Sequence, residues 1–215
     1  MMKRIKRRLA ASLLLLAAFV LWTAAVLTVD VQAIGPLGSA VGFAQINRFV
    51  HDLTGVHMAL YTITDWLSLI PAGICAGFGL LGLVQWIRRK RLLNVDRSIH
   101  VLGGFYIVVL AAYALFEALA VNFRPVLIEG VLEASYPSST TMLVLCVMLT
   151  ALMQINTWTK SHALRRCVSV LILGFTAFMV IGRLVSGVHW FTDIVGGALL
   201  SGGLVMLYAA FSDSE

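Results

Sequence analysis

Six apolar segments, each long enough to cross a lipid bilayer, constrain this chain more than any other feature. A membrane-spanning helix needs about 20 predominantly apolar residues, because it rises about 1.5 Å per residue through about 30 Å of hydrocarbon. Trp66, Trp86, Trp158 and Trp190 stand at segment ends, where indole rings settle at the lipid–water boundary. The six segments are residues 9–29, 66–87, 101–122, 138–158, 167–185 and 190–211. We therefore expect an all-α fold, a bundle of six transmembrane helices in a single domain over residues 1–215.

The amino-acid composition agrees with a lipid environment and argues against a water-soluble protein. Hydrophobic residues make up 60% of the chain and charged residues 12%, with a mean hydropathy of +0.94. Soluble domains carry about twice this charged fraction. The net charge of +6 does not indicate nucleic-acid binding, because the basic residues stand in short clusters between apolar segments rather than along one face.

The basic clusters predict how the bundle is oriented. They occupy residues 3–8, 88–97 and 160–166, which all fall on one side of a six-helix bundle. They hold all of the 16 Lys and Arg residues except Arg48, Arg124 and Arg183. Because short cytoplasmic loops are enriched in Lys and Arg, we expect both termini in the cytoplasm and these three arginines outside. We expect a multi-pass protein of a cell membrane, and the short loops suit the cytoplasmic membrane of a bacterium.

Two segments of the N-terminal half admit alternatives. The basic start, the apolar stretch and residues 31–33 faintly resemble a cleaved signal peptide, but the stretch is long for one, and we favour a retained helix. Residues 30–65 form the longest outer segment, and apolar residues recur at near-helical spacing from Phe43 to Val50. This segment is either a short amphipathic helix on the membrane surface or an ordered lid packed on the bundle.

A histidine and an aspartate at the start of the last predicted helix form the first candidate for a chemical site. His189 and Asp193 are four residues apart, so a helix places them on one face. A carboxylate there can fix the imidazole tautomer and stabilise the cation, which makes the histidine a competent nucleophile towards phosphorus. Arg183 precedes them across a turn that contains Gly187, and its guanidinium can clamp phosphate oxygens at two points.

Two further patterns point to the same outer face. Pro137 followed by Ser138 and Ser139 is typical of a helix start, where free N–H groups and the helix dipole attract anions. Taken alone, this pattern is explained equally well by a plain N-cap. Arg124-Pro125 ends the third helix on the outer side, where the charge rule least expects arginine. The three patterns belong to three different helices but fall on the same predicted side of the membrane. Together they therefore predict a phosphate site more strongly than any one of them does alone.

These motifs resemble those of the type 2 phosphatidic acid phosphatase (PAP2) superfamily, which are K-x6-R-P, P-S-G-H and S-R-x5-H-x3-D. The third motif is present as Arg183-x5-His189-x3-Asp193, with Gly182 in place of the serine. Six helices with all motifs on the outer face also match the membrane branch of the family. The motif-bearing part spans residues 117–193.

The first two motifs are degenerate. The first keeps Arg124-Pro125 but has Glu117 at its lysine position, and the second keeps Pro137 but ends in Thr140 instead of histidine. In the family, that histidine protonates the leaving group, and general-acid help is commonly worth about 10²–10⁴-fold.

The resemblance implies a role for each matching residue. The third-motif histidine of the family attacks phosphorus and forms a phosphohistidine, which assigns His189 as the nucleophile and Asp193 as its orienting partner. The phosphate-binding residues would be Arg124, Arg183, Ser138 and Ser139. This chemistry requires no metal and no cofactor.

Three explanations of the missing histidine remain open. The substrate can have a good leaving group, such as a lipid diphosphate, which expels phosphate rather than an alkoxide. Another group can supply the proton, with Glu117 first because a carboxyl group at the membrane edge is partly desolvated, and His57 a distant second. Alternatively, catalysis has been lost and the chain retains a pocket for phospholipid head groups.

We therefore expect a phosphatase of membrane lipids that acts at the extracytoplasmic face. The favoured substrate is a polyprenyl diphosphate such as undecaprenyl diphosphate, followed by phosphatidylglycerol phosphate and phosphatidic acid. A phosphotransferase of the same superfamily and a catalytically impaired lipid-phosphate binding or transport protein are the alternatives. The expected partners are the lipid bilayer and a lipid substrate, without nucleic acid.

Overall fold

The computed structural model describes residues 2–212, which fold mainly into α-helices. The helices are α1 (Met2–Thr28), α2 (Ala44–Thr54), α3 (Met58–Leu67), α4 (Leu69–Arg89), α5 (Arg97–Leu119), α6 (Ser139–Trp158), α7 (His162–Val185) and α8 (Phe191–Ser212). Helices α3 and α4 follow each other as one crossing, so the described residues contain six segments long and apolar enough to span a membrane. The prediction of an all-α bundle with six crossings is confirmed, and its orientation stays a prediction.

The second crossing begins earlier in the chain than predicted. It starts at Met58 rather than at residue 66, so Asp65 lies within α3 and the outer segment ends at residue 57. Within this extension the threonine hydroxyls are satisfied by carbonyls one turn earlier, as Thr62 donates to Met58 (3.0 Å) and Thr64 to Leu60 (2.9 Å). The crossing is interrupted at residue 68, three residues before Pro71, whose ring lacks an N–H to continue the helical hydrogen bonds.

The first helix is an integral part of the bundle, because α1 packs closely along α8. Ser12 Oγ, which is fully buried, donates to the carbonyl of Gly203 (2.8 Å). A Cβ at Gly203 would come within 2.7 Å of the Leu16 side chain, so the glycine sets how closely the two helices approach. Nearer the C-terminal end of α1, Thr23 Oγ1 and the Tyr136 hydroxyl are 2.7 Å apart. These contacts support the interpretation of residues 2–28 as a retained helix.

The outer segment combines the two alternatives left open by the sequence. Its helix, α2, packs on the bundle through Asn47, which is fully buried against the start of α8. The opposite side of α2 exposes Ile46, Phe49 and Leu53, and Phe49 is 66% exposed. An exposed apolar face beside a packed polar one fits a helix that lies at the membrane surface and covers the end of the bundle.

The connection between α5 and α6 is a β-hairpin-like loop. Isolated bridges pair Phe123 with Ala134 and Ile128 with Val131. At its tip Glu129 and Gly130 both have positive φ, at +51° and +80°, as a two-residue type I′ turn requires. This loop carries Arg124 back over the end of the bundle.

Candidate active site

A tight turn between α7 and α8, residues 186–190, carries the candidate nucleophile His189. Gly187 has φ +70°, and a side chain there would also collide with the backbone of Gly55. The backbone N–H of His57 donates to the carbonyl of Ser186 (3.0 Å), which fixes the turn against the outer segment. Glycine at position 187 therefore permits the close packing that buries this turn.

Asp193 is held in place by two hydrogen bonds. Its Oδ2 accepts from the backbone N–H of Trp190 (3.0 Å), as a capping carboxylate does at a helix N-terminus, and its Oδ1 accepts from Asn122 Nδ2 (3.2 Å). The side chain is fully buried, and Oδ2 lies 3.6 Å from Nδ1 of His189. This separation is longer than a hydrogen bond, and catalytic contacts of this kind commonly shorten when substrate binds.

The other imidazole nitrogen of His189 faces Arg124. Arg124 Nη1 lies 3.2 Å from His189 Nε2, and a guanidinium can only donate. Nε2 therefore carries no proton, and the ring proton belongs on Nδ1, on the side of Asp193. In this tautomer Nε2 offers a lone pair to an electrophile.

Burial keeps His189 neutral. The residue is 3% exposed, and burial lowers its pKa from 6.5 to about 4. The Asp193 carboxylate opposes this shift, whereas the positive charges of Arg124 and Arg183 reinforce it. The neutral, nucleophilic form therefore predominates at physiological pH.

Arg124 is aimed at His189 by its own loop. Its Nε donates to Glu133 Oε2 (2.8 Å), and its backbone N–H donates to the Glu133 carbonyl (3.0 Å) across the hairpin. Arg124 is buried, whereas the Glu133 side chain is 39% exposed and remains in contact with solvent. The carboxylate neutralises one edge of the guanidinium and leaves the other directed towards His189.

Arg183 is the second buried arginine, at the end of α7. Its Nη2 donates to Thr140 Oγ1 (2.6 Å) and lies 3.4 Å from Asp65 Oδ1. Its guanidinium carbon lies 4.9 Å from the centre of the Tyr61 ring, within cation–π range. Thr140, at the position of the family's second-motif histidine, therefore serves as an acceptor for Arg183.

The remaining predicted site residues do not contact the imidazole nitrogens of His189 in the described chain. Ser138 is buried at the start of α6, where its Oγ accepts from the N–H of Thr141 (3.4 Å), so it acts as an N-cap here. Ser139 and Glu117 line a small hollow beside Tyr136, and Glu117 is exposed. His57 is exposed too, and its Nε2 contacts the carbonyl of Thr54 (2.8 Å).

The structure thus brings together some of the predicted residues and separates others. Within residues 2–212, the polar side chains that contact the imidazole nitrogens of His189 are Arg124 and Asp193. Glu117, the first candidate for a substitute acid, is not among them.

Several supporting residues were missed by the sequence patterns. Asn47 on α2 donates to Thr192 Oγ1 (3.0 Å) and accepts from the Thr192 N–H (3.2 Å), while Asn122 lies 3.5 Å from the same hydroxyl and also bonds to Asp193. A buried polar network therefore connects α2 to the carboxylate of Asp193. Asn122 directly precedes the first-motif segment, but nothing in the sequence pairs Asn47 with position 192.

The acidic partners of the arginines were missed as well. Glu133 had a local signal, because a glycine at position 130 between apolar residues permits a tight turn that brings the residues on either side together. No sequence pattern indicates Asp65, because it precedes the apolar segment that begins at residue 66.

The helical bundle as a whole is similar to a known structure. One solved structure that it resembles is a transmembrane PAP2-type phosphatidylglycerolphosphate phosphatase from Bacillus subtilis, with a TM-score of 0.58 and 18% sequence identity over 94% of this chain and 96% of that chain. At this identity the likeness establishes the fold alone. No curated protein sequence gave a significant match.

The helical bundle shares its overall fold with that membrane protein. The model of the PAP2 superfamily matches residues 97–214, more than half of the chain, and the protein belongs to that superfamily. The resemblance inferred from the motifs is confirmed.

Proposed function

We propose that this protein is a metal-independent lipid phosphatase in which His189 attacks phosphorus. The observation that carries the proposal is the arrangement around the imidazole, with Nε2 facing Arg124 (3.2 Å) and Nδ1 facing the buried carboxylate of Asp193 (3.6 Å). A neutral imidazole flanked by an orienting carboxylate and a phosphate-binding guanidinium is arranged for nucleophilic catalysis.

The reaction proceeds in two displacements. Arg124 turns its Nη1 from His189 to the phosphate oxygens, which frees the Nε2 lone pair and places phosphorus beside it. An N–P bond forms while the P–O bond to the leaving group breaks, and the leaving oxygen takes the electron pair. The Asp193 carboxylate stabilises the positive charge that develops on the ring. Water then attacks the phosphohistidine, which releases inorganic phosphate and restores Nε2.

The environment of Thr140 favours a substrate with a good leaving group. Its hydroxyl oxygen accepts from Arg183 (2.6 Å), and an aliphatic hydroxyl is too weak an acid to protonate an alkoxide at neutral pH. A polyprenyl diphosphate expels a phosphate, whose negative charge is already dispersed, and is our favoured substrate. Phosphatidylglycerol phosphate is the second candidate, because the fold resembles that of a phosphatidylglycerolphosphate phosphatase.

Two other functions fit the same pocket. A phosphotransferase would pass the phosphoryl group from His189 to an alcohol instead of water. A lipid-phosphate binding or transport protein would use the two arginines without the nucleophile. The proposal also includes the extracytoplasmic location of the site, which rests on the basic clusters at the opposite end of the bundle.

Phosphate release by the purified protein in detergent tests the proposal. We expect inorganic phosphate from polyprenyl diphosphate at a higher rate than from phosphatidylglycerol phosphate or phosphatidic acid. Binding of these lipids without turnover of any of them, by protein that remains folded, would support the binding protein and reject the phosphatase.

The variant Thr140→His tests the leaving-group argument. It restores an acid at the second-motif position, and we expect the rate on phosphatidic acid to rise about tenfold, less than the full 10²–10⁴-fold because the new ring is not positioned by its surroundings. The rate on polyprenyl diphosphate should change much less. Equal effects on both substrates would show that protonation of the leaving group does not limit the wild-type reaction.

A further inference from the structure

A wide apolar groove lies between α4 and α5, far from the candidate active site. It has a volume of about 570 Å³, within the range of small-molecule and lipid pockets. Its lining runs from Cys75 and Tyr106 near mid-membrane to Trp86, Leu92 and nearby residues where α4 ends and α5 begins. His189 lies at the other end of the bundle, where α5 and α7 end and α8 begins. The groove is therefore separate from the proposed catalytic chemistry.

The groove exists because glycines replace side chains along both helices. Gly79 and Gly82 on α4 and Gly103 and Gly104 on α5 all line the groove. At positions 79, 103 and 104 an added Cβ would meet no atom within 4 Å among residues 2–212, so these glycines are not required for close helix packing. The contrast with Gly203, which fits against α1, indicates that this surface is shaped to receive something outside the described chain.

One end of the groove is strongly basic. Trp86 and Leu92 both line it, and the residues between them in sequence include Arg88, Lys90 and Arg91, which are all exposed. Arg89 differs from these three because it forms an ion pair with Asp96 (2.6 Å). An apolar groove that ends in several exposed positive charges at the membrane surface matches the apolar acyl chain and the negatively charged head group of an anionic lipid.

We propose that the groove binds an anionic phospholipid from the leaflet on the basic side of the membrane. The acyl chain lies against the glycine surface, and the phosphate head group lies beside Arg88, Lys90 and Arg91. A second copy of this chain is a poorer occupant, because a parallel pair in the membrane would bring the two basic clusters together. This site does not depend on the proposed phosphatase activity.

Native mass spectrometry of the purified protein with added phosphatidylglycerol or phosphatidylcholine of identical acyl chains tests the proposal. We expect one tightly retained phosphatidylglycerol per chain and much weaker retention of phosphatidylcholine. Equal retention of both lipids would overturn the proposal, and so would a dimer that excludes lipid.

Matched variants assign the binding to the groove. Gly103→Leu fills the channel, and Gly77→Leu is its control, since position 77 is exposed on α4, lies outside the groove lining and has no atom within 4 Å of a built Cβ in the described chain. We expect Gly103→Leu to weaken phosphatidylglycerol retention about tenfold and Gly77→Leu to leave it unchanged. Retention unaffected by Gly103→Leu would contradict the proposal.

The head-group contact is tested by charge. The triple substitution Arg88→Gln, Lys90→Gln and Arg91→Gln should weaken the retention of phosphatidylglycerol about tenfold or more. Each basic residue near an anionic head group adds to the electrostatic attraction that holds the lipid. Its control is the substitution of three exposed basic residues near the start of α1, also by glutamine: Lys3, Lys6 and Arg7. Equal losses in both triple variants would show a general effect of surface charge and would overturn the assignment to the groove.

Discussion

The two ends of the bundle are built on opposite principles. At the end that holds His189, polar side chains are buried and connected by hydrogen bonds, and the hairpin and α2 close over them. At the basic end, α4 and α5 line an apolar groove that contains several glycines, and charges are exposed. The comparison teaches that a chemical site needs fixed geometry, whereas a surface that receives a flexible lipid chain does not. Each prediction below tests one side of this contrast.

The largest effect is expected at the nucleophile. His189→Gln removes the group that forms the N–P bond, so phosphate release should fall by about 10³-fold or more, with lipid binding largely retained. His162→Gln is the control, because His162 lies at the other end of the bundle beside Arg165. Comparable activity of His189→Gln and wild type would reject the nucleophile assignment.

An added side chain should destabilise the fold where α1 packs on α8 and should have little effect in the groove between α4 and α5. Gly203→Leu forces a side chain against Leu16 of α1, and overpacking of this kind costs about 1–3 kcal/mol, which lowers the midpoint of thermal unfolding in detergent. Gly103→Leu projects into the groove and should leave that midpoint almost unchanged. Equal destabilisation by both variants would contradict the contrast between the two regions.

Asn122 is expected to act as a positioning residue for Asp193. Asn122→Ala removes its hydrogen bond to the carboxylate (3.2 Å), and bonds to charged groups contribute about 1.5–3 kcal/mol. We expect kcat to fall about tenfold or more while KM stays close to wild type. A rise in KM with unchanged kcat would instead place Asn122 in substrate binding.

The smallest expected effect is a pH dependence of stability. Because burial lowers the His189 pKa to about 4, the unfolded chain binds a proton near pH 6.5 that the folded chain does not. Stability from this residue is therefore complete above pH 6.5 and declines as the pH falls towards 4, by about 1 kcal/mol over the first pH unit. The wild-type minus His189→Gln difference in unfolding midpoint between pH 7.0 and 5.5 measures it, and a pH-independent difference would contradict the burial argument.

The sequence predicted the bundle well because lipid imposes simple rules on it. Hydrophobic length alone located the six crossings, although several of them begin or end at other residues than predicted. The largest difference is at the start of the second crossing, because Thr62, Thr64 and Asp65 are polar and the sequence does not show their backbone and arginine contacts. Motif spacing correctly indicated the superfamily and the approach of Arg124, His189 and Asp193.

The supporting shell of the site could not be predicted in the same way. Asn47 and Thr192 are distant in sequence, and no local pattern announces a buried pair of this kind. The position of Glu117 in a hollow away from His189 depends on the rotation of α5, which the sequence does not specify for a helix with apolar residues on nearly all sides. The motifs could therefore be predicted from the sequence, whereas hydrogen bonds between residues distant in sequence could not.

The central claim, covalent catalysis by His189, is tested most directly by trapping the intermediate. Purified protein is mixed with substrate that carries ³²P in the transferred phosphoryl group, quenched with alkali within the first turnover and digested. We predict an acid-labile, alkali-stable label on the peptide that contains His189, absent from His189→Gln and present in His162→Gln. Phosphate release without a label at His189, or a label on another residue, would contradict the account.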